Sequence, residues 1–384
     1  MSDDKNITMV TPFKTDYYRE YANAFQEAGI LRKSILWKRQ GFPDIPPEKT
    51  MLLPLLGKAV FAANRVMGRD AGERFRFAMY PLFDAWAAGK IVPGDDVFSS
   101  YGYANKCFKK AKATGGRTFL DGGNSHPDNF WSIMTEEHAR WGYKKTPLPK
   151  RHYERSLRMM EDVDYVFAPS NFVAQSFLER GFSDRQILKI FYPVHFGVFK
   201  PGDSERPKDR PLTIVNTGAL SFRKGTPYLL EAFRMIHKEV PNARFLLTKS
   251  ISEQAKPFFD QYTDLPIEWS AYLSAPALAE RLRNADLFIL PSLEEGLVRT
   301  AIQAMACGLP CILTPNTGAS DYVEEGVNGS VVPIRDARAI ADAALAWWAK
   351  IESGYRPPTS DFQKALGTES FHKKAIELYE QATG

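Results

Sequence analysis

Residues 286–310 have the sequence DLFILPSLEEGLVRTAIQAMACGLP, in which an apolar run is followed by two carboxylates, a glycine and an amphipathic segment. A short, continuous apolar run of this kind is typical of a strand that is buried on both faces. The amphipathic segment predicts a helix, with Gly308 at its C′ position and a proline just beyond. Glu294, Glu295 and Gly296 therefore stand in the loop where a buried strand passes into a helix.

The same order of strand, turn and helix recurs on both sides of this stretch. In the second half LTIVNTG precedes TPYLLEAFRMIHKEV, and ARFLLTK precedes APALAERLRNA; in the first half NITMV, DDVFSSYG and DVDYVFAPS each precede a helical pattern. Such alternation predicts doubly wound parallel sheets. A segment rich in Pro, Gly and charge, residues 196–211, predicts the linker. The expected fold class is α/β, with two Rossmann-like doubly wound domains, 1–200 and 201–355, that face a cleft. A C-terminal helix within 356–384 is expected to pack back on the first domain.

Composition narrows the class of protein. The 384 residues are 44% hydrophobic and 25% charged, as in globular proteins of two ordinary domains. Three scattered cysteines, no leader pattern and no run long enough to span a bilayer predict a cytoplasmic protein. Residues 1–200 carry 30 Lys and Arg against 22 Asp and Glu, whereas residues 201–384 carry 20 against 23. The basic front half predicts an anionic partner, such as a membrane surface at the inner face or a phosphorylated acceptor, although a solvated basic face explains it equally well.

The loop after the quoted strand has the chemistry of a ligand site. In open parallel sheets, ligands bind beyond the carboxyl ends of the strands. The free N–H groups and dipole of a helix N-terminus favour a phosphate, and a carboxylate accepts hydrogen bonds from sugar hydroxyls. Gly296 lets backbone approach a ligand closely. The loop predicts a site for a phosphorylated polyol, with one alternative left open: an acidic pair that merely favours the helix dipole.

A second loop supports the site. The sequence TGALSFRKG, residues 217–225, follows the first strand of the same domain and carries Arg223 and Lys224. Cations at that edge of the sheet can neutralise a pyrophosphate opposite the helix N-terminus. A basic loop alone is usually solvated, but its pairing with the acidic loop predicts a shared site.

Residues 212–345 resemble the donor half of the retaining glycosyltransferases of family 4, which have the GT-B fold. The resemblance rests on GALSFRKG, ADLFILPSLEEG, QAMACGLP and TGASDYVEEGVNGSVVP, in the family's order and spacing. The first half is similar over VDYVFAPSNFVAQSFLERGF and ILKIFYPVHFGVFKPG. The resemblance implies transfer of a hexose from a nucleotide diphosphate sugar, as co-substrate, to a hydroxyl of a saccharide or lipid-linked glycan. It also implies that the first domain holds the acceptor and that neither a metal nor another cofactor is required.

The resemblance further assigns roles to individual residues. Lys224 and Arg223 would take the phosphates, Glu295 the donor sugar and Gln303 the ribose. Gly218 and the backbone N–H groups of Gly296, Leu297 and Val298 complete the expected donor site. Two positions depart from the family: Gln303 stands where the family has a second glutamate, and Ala219 stands where it has an arginine. Gln keeps an acceptor oxygen but loses the charge.

A histidine is expected on the opposite side of the cleft. His126 follows the predicted strand RTFLDGG, within GGNSHPDNFWSIMTEEHARWG. The resemblance suggests that a histidine near this point contacts the donor sugar or the reacting centre, so His126 and Glu295 are the predicted catalytic residues. A purely structural histidine is the alternative. His138 is expected on a helix face, and His195, directly before the linker, is a further candidate.

Several other patterns are interpreted as structural or excluded. Asp162 and Asp164 have the spacing of a metal-binding pair but lead into an apolar strand. No GxGxxG follows the first strand of either domain and no P-loop occurs, which argues against a dehydrogenase or an NTPase. No nucleic-acid partner is expected. Two rival functions remain: a sugar-nucleotide 2-epimerase on the same fold, and a non-catalytic nucleotide-sugar-binding subunit, which Ala219 and Gln303 permit.

Residues 56–77, LGKAVFAANRVMGRDAGERFRF, interleave basic and apolar residues. Such a segment can lie in a lipid interface, with its apolar groups inward and its basic groups toward anionic headgroups. Gly68 and Gly72 are expected to interrupt a helix here, and the apolar residues can instead pack on the first sheet. The sequence therefore raises peripheral contact with an anionic membrane as a hypothesis.

Overall fold

The computed structural model describes residues 6–13, 15–37, 41–202, 210–248, 250–271, 273–359 and 362–384, except the side chains of Arg69, Asp70 and Gln363. Residues 203–209 of the predicted linker lie outside the described residues. Two separate parallel sheets organise the described chain, one on each side of that linker.

The first sheet has seven parallel strands, in the order β3-β2-β1-β4-β5-β6-β7. The order reverses between β1 and β4, which is the kind of point at which open sheets bind ligands. The strands are β1 (Ile7–Val10), β2 (Leu31–Leu36), β3 (Thr50–Leu52), β4 (Asp96–Ser100), β5 (Thr118–Asp121), β6 (Tyr165–Ala168) and β7 (Ile187–Lys189).

Helices cover the first sheet, and their starts follow ordinary capping chemistry. Thr15 accepts a hydrogen bond from the Tyr18 N–H at the start of the first helix, and Ser170 accepts one from the Val173 N–H at the start of the seventh. These helices are α1 (Asp16–Glu27), α2 (Pro54–Val66), α3 (Arg69–Ala88), α4 (Asn105–Ala113), α5 (Pro127–Arg140), α6 (Lys150–Met160) and α7 (Asn171–Leu178).

The second sheet has six parallel strands in the order β10-β9-β8-β11-β12-β13. Its strands are β8 (Thr213–Asn216), β9 (Arg244–Thr248), β10 (Ile267–Ser270), β11 (Leu287–Leu290), β12 (Cys311–Leu313) and β13 (Gly329–Val331). Its helices are α8 (Thr226–Glu239), α9 (Lys256–Phe259), α10 (Ala275–Arg283), α11 (Arg299–Ala306) and α12 (Ala337–Glu352). The strand order reverses between β8 and β11, the two strands that precede the basic and acidic loops.

The chain then returns to the first sheet. It ends in α13 (Phe362–Leu366) and α14 (Thr368–Thr383), and α14 packs against α1. The ring of Phe371 lies 4.9 Å from that of Tyr21, and the Tyr379 hydroxyl donates to an oxygen of Asp96 at 2.8 Å. The aromatic face of α14 thus joins the core of the first sheet although it lies at the far end of the sequence.

The predicted fold class is confirmed: both halves are doubly wound parallel α/β layers. The predicted effect of Gly72 is wrong. The helical segment breaks only at Gly68, with φ +76, whereas Gly72 lies inside α3. A Cβ on Gly72 would lie 2.6 Å from the Cα of Asn64, so this glycine allows α3 to pack closely on α2. No helix among the described residues is both long enough and apolar enough to cross a membrane.

Candidate functional site

The acidic and basic loops meet at the carboxyl edge of the second sheet. They follow β11 and β8, which pair directly, with Phe288 opposite Val215. The Leu293 N–H donates to the carbonyl of Arg223 at 2.8 Å, which joins the two loops through backbone. The loops that sequence analysis paired are therefore neighbours in space.

Four charged side chains form a cluster between these loops. An Arg223 guanidinium nitrogen lies 2.9 Å from a Glu294 oxygen, and another lies 3.2 Å from a Glu295 oxygen. The Lys224 ammonium donates to Glu295. Glu294 is fully buried, whereas Glu295 keeps a small exposed fraction. The cluster holds two cations and two carboxylates, so it is close to neutral while no ligand is bound.

Burial and charge compete in setting the pKa values of this cluster. Burial tends to raise the pKa of Glu295, but Arg223 and Lys224 outweigh it and the pKa lies below its usual value. Burial tends to lower the pKa of Arg223, but Glu295 and Glu294 raise it above its usual value. At Lys224 burial prevails over the opposing effect of Glu295, and the pKa is lowered. Glu295 is therefore a carboxylate at neutral pH and can accept hydrogen bonds from hydroxyl groups.

The first domain contacts this cluster through the loop that follows β5. The Ser125 N–H donates to Glu294 at 2.9 Å, and Arg223 donates to the side-chain oxygen of Asn124 at 3.2 Å. A Cβ on Gly296 would lie 2.0 Å from the carbonyl oxygen of Gly123. The carboxyl ends of the two sheets thus face each other, and glycine is required where their loops touch.

His126 is placed beside this contact, and its described side-chain neighbours belong to the first domain. It is the N-cap of α5, where its Nδ1 accepts from the Asp128 N–H at 3.2 Å. Its ring packs edge-on against Phe177 at 5.2 Å. Burial lowers its pKa to about 4, so the imidazole is neutral at physiological pH. Its backbone neighbour Ser125 makes the contact across the cleft, and a catalytic role for His126 stays a prediction.

The other predicted donor-site residues lie around the start of α11 and the end of β8. Leu297 and Val298 are buried. Val298 is the N-cap of α11 and provides no side-chain cap, so the first N–H groups of this helix have no side-chain acceptor among the described residues. Gln303 is half-buried on α11. Gly218 is exposed with φ +104, a backbone conformation that favours glycine. Their roles toward a donor stay predictions.

Sequence analysis missed Asp121, the last residue of β5. Its carboxyl accepts from the Tyr192 hydroxyl at 2.6 Å, and Tyr17 stacks on Tyr192 at 4.7 Å. Burial raises the pKa of Asp121 to about 7. An acid at the end of an otherwise apolar strand, directly before Gly122, was the available signal. Asp121 places a second titratable group at the facing edge of the first sheet.

The other histidines and the Asp162–Asp164 pair lie elsewhere. His138 is buried on α5 with its Nδ1 2.7 Å from the Lys145 carbonyl, and His195 lies 3.8 Å from a Glu20 oxygen. Asp164 accepts from Lys112 and Thr118 at the amino end of β6, the edge away from the cleft. Within the described part of the chain, no group of three or more His, Cys, Asp or Glu side chains could hold a metal ion.

Two parallel sheets whose carboxyl ends face across a cleft, with the last helix returned to the first domain, define the GT-B fold. A solved structure of sucrose-phosphate synthase from Thermosynechococcus elongatus superposes with a TM-score of 0.69 at 18% identity, over 99% of both chains. This likeness shows the fold.

Residues 211–350 match the model of the family described as "Glycosyl transferases group 1". The chain therefore contains a glycosyltransferase group 1 domain, which holds both loops of the charged cluster. A protein of Salmonella typhimurium named for colanic acid biosynthesis, the glycosyltransferase WcaL, is 28% identical over 45% of this chain and 43% of its own. The lipopolysaccharide 1,6-galactosyltransferase of the same organism is 26% identical over 44% of this chain and 48% of its own. The chain thus matches less than half the length of either relative.

Proposed function

We propose that this protein transfers a hexose from a nucleotide diphosphate sugar to a hydroxyl of a saccharide or lipid-linked glycan, with retention at the anomeric carbon. The observation that carries the proposal is the meeting of Arg223, Lys224 and Glu295 at the edge where the two sheets face each other. A diphosphate needs cations, and a sugar needs a hydrogen-bond acceptor, at the same place.

The residues of the cluster would divide the donor between them. Lys224 would leave Glu295 for a phosphate oxygen, and the carboxylate so released would accept from a sugar hydroxyl. The uncapped N–H groups at the start of α11 would take the remaining phosphate charge, and Gln303 would accept from the ribose. The side chains of the charged cluster are largely buried, and in such a low-dielectric setting charges would stabilise the departing diphosphate more strongly than in water.

The transfer itself would depend on positioning. In a front-face substitution, the bond from the anomeric carbon to the diphosphate oxygen breaks while the acceptor hydroxyl attacks from the same side. The leaving diphosphate takes the hydroxyl proton. Holding both substrates in place supplies much of the rate gain in such a step. His126 would act from the first domain. Lys224, once it leaves Glu295, and the N–H groups at the start of α11 would oppose part of the diphosphate charge, and the proposal includes no metal ion.

The names of the relatives support the acceptor class. One is named for colanic acid biosynthesis and one for lipopolysaccharide galactosyl transfer. Because the matched stretches cover less than half of those proteins, the acceptor of this chain is part of the proposal.

A panel of nucleotide sugars, each supplied with saccharide and lipid-linked acceptors, tests the function through released nucleotide. We expect release that depends on both donor and acceptor, persists with a metal chelator, and gives a product with the anomeric configuration of the donor. Conversion of a donor to its 2-epimer without acceptor would indicate the isomerase instead. Donor binding without turnover under every condition would indicate a binding subunit.

A further inference from the structure

Helix α2 exposes apolar side chains far more than the rest of the described chain does. Leu55, Phe61 and Val66 are 75%, 69% and 83% exposed, and Met67, just after the helix, is 54% exposed. Leu82 of α3 is 58% exposed, and the other large apolar residues exposed in the described chain are only 36–39% exposed. An apolar patch of this kind marks an interaction surface.

Two of the exposed residues, Leu55 and Val66, lie on one side of α2, which we call the outer face. Leu55, Ala59, Ala62 and Val66 follow the helical period and form an apolar stripe. Lys58 and Arg65 border this stripe, also one above the other, and Phe61 lies beyond them. Residues 54–67 include no Asp or Glu. The outer face therefore combines an apolar stripe with uncompensated positive charge.

The fold does not need the outer face for its core. Val60, on the opposite side of α2, is buried in the first-domain core. Beneath α2, α3 supplies Tyr80, whose ring stacks on Trp37 at 5.2 Å, and Phe83, which is fully buried. Since α2 already has an inner face packed on α3, the exposed stripe is available to a partner.

We infer that the outer face of α2 docks on an anionic lipid surface. Apolar side chains would enter the interface, while Lys58 and Arg65 extend along it to lipid phosphates. Two small alanines in the stripe make the face shallow, so it fits a deformable bilayer better than the deep pocket of a protein partner. The excess of basic residues in residues 1–200 adds attraction of the same sign.

Helix α2 begins directly after β3, so its first turn lies at the carboxyl edge of the first sheet, and α3 reaches the same edge. Arg76 of α3 stands over the ring of Phe13 at 5.9 Å, and Phe13 follows β1 at the carboxyl edge of the first sheet. Two residues later Thr15 caps α1, whose Tyr17 stacks on Tyr192 beside Asp121. A docked α2 would therefore hold the acceptor side of the cleft near the lipid. The inference goes beyond the proposed transfer reaction, because docking requires neither donor nor acceptor.

Vesicle sedimentation of the full chain tests the inference. We expect binding to phosphatidylcholine vesicles that contain phosphatidylglycerol, weaker binding as salt rises, and little binding to phosphatidylcholine alone. The double variant Leu55→Ser/Val66→Ser should lose at least about tenfold in affinity. Lys58→Gln/Arg65→Gln should lose about fivefold per charge on anionic vesicles only. All four side chains are exposed, so thermal unfolding should be unchanged.

Matched controls replace exposed residues elsewhere. Val198→Ser removes an apolar side chain, and Arg338→Gln/Lys373→Gln removes two cations; both should bind as the unaltered protein does. Absence of binding to anionic vesicles at low salt would overturn the inference, as would unchanged binding of both outer-face variants. The unaltered protein could instead self-associate without binding vesicles, and Leu55→Ser/Val66→Ser could abolish that self-association. This result would assign the outer face to a second copy of the chain and would also overturn the inference. If the protein does not bind vesicles, nucleotide release with a donor and an acceptor is still expected. The docking inference and the proposed transfer reaction can therefore fail independently.

Discussion

Glu294 and Glu295 are adjacent in the chain but have different partners. Glu294 is fully buried and accepts from the Ser125 N–H of the first domain and from Arg223 of its own. Glu295 pairs with Lys224 and keeps some exposure. A buried carboxylate that joins two domains suits a positioning role, whereas the partly exposed neighbour can turn to a ligand. Substitution of Glu294 should therefore mainly lower stability, whereas substitution of Glu295 should mainly lower ligand binding and turnover.

Lys224→Ala should weaken binding of nucleoside diphosphates more than Arg223→Ala does. Arg223 is held by Glu294, Glu295 and Asn124, whereas the described partner of Lys224 is Glu295 alone. A hydrogen bond to a charged group contributes about 1.5–3 kcal/mol, so we expect a loss of roughly ten- to a hundredfold for Lys224→Ala. Titration calorimetry measures it. A larger loss for Arg223→Ala would assign the phosphate to Arg223.

Asp121→Asn should flatten the dependence of stability on pH. In the unfolded chain this carboxyl ionises near 3.8, whereas burial raises its pKa to about 7 in the folded protein. The folded state therefore binds the extra proton between these values, and the free energy of unfolding falls as pH rises through them, by up to about 4 kcal/mol. Asn keeps an acceptor for Tyr192 and has no proton to lose.

Urea unfolding at pH 5 and pH 8 measures this effect. The unaltered protein should lose more stability between the two values than Asp121→Asn does. Asp342→Asn, an exposed acid on α12, serves as the control and should retain the slope. Equal slopes in the unaltered protein and Asp121→Asn would show that Asp121 is ionised in the folded state.

At the scale of elements, the sequence predicts strands and helices where periodicity and capping agree. The helix after β11 ends as its glycine indicates, with Gly308 at φ +80. Strands β2, β3, β7 and β10 were missed because they are short, lie toward sheet edges or mix charged and apolar residues. Sequence analysis also missed helix α6. The pairing of the acidic and basic loops could be predicted because both follow strands of one sheet. The individual side-chain contacts, such as that of Ser125 with Glu294, join residues distant in sequence, and no local pattern encodes them.

Gly296→Ala should disturb the contact between the loops after β5 and β11. The added methyl would lie 2.0 Å from the Gly123 carbonyl oxygen, so either the loops separate or the backbone shifts. Overpacking of this kind costs about 1–3 kcal/mol. Thermal unfolding measures the cost, and small-angle scattering reports separation of the domains. Gly197→Ala is the control, since nothing lies within 4 Å of its added methyl. Equal unfolding temperatures and equal scattering curves for Gly296→Ala and Gly197→Ala would contradict the contact between the loops after β5 and β11.

At the scale of the whole molecule, further contacts hold the two domains together away from the cluster. Buried Glu137 of α5 accepts from the Tyr228 hydroxyl at 2.9 Å and from Arg335 at 2.8 Å, and both donors belong to the second domain. Arg299 lies 3.4 Å from Asp16 at the start of α1. These pairs, and the return of α14 to the first sheet, keep the loops after β5 and β11 facing each other.

The turnover of Glu295→Ala tests the central claim, that the facing loops form the donor site, most directly. Nucleotide release with a productive donor and acceptor is compared between the unaltered protein and the variant, with unfolding curves as evidence of intact structure. We predict a fall of roughly ten- to a hundredfold, because a hydrogen bond to a charged group is lost. Turnover equal to that of the unaltered protein, in a folded Glu295→Ala variant, would contradict the account.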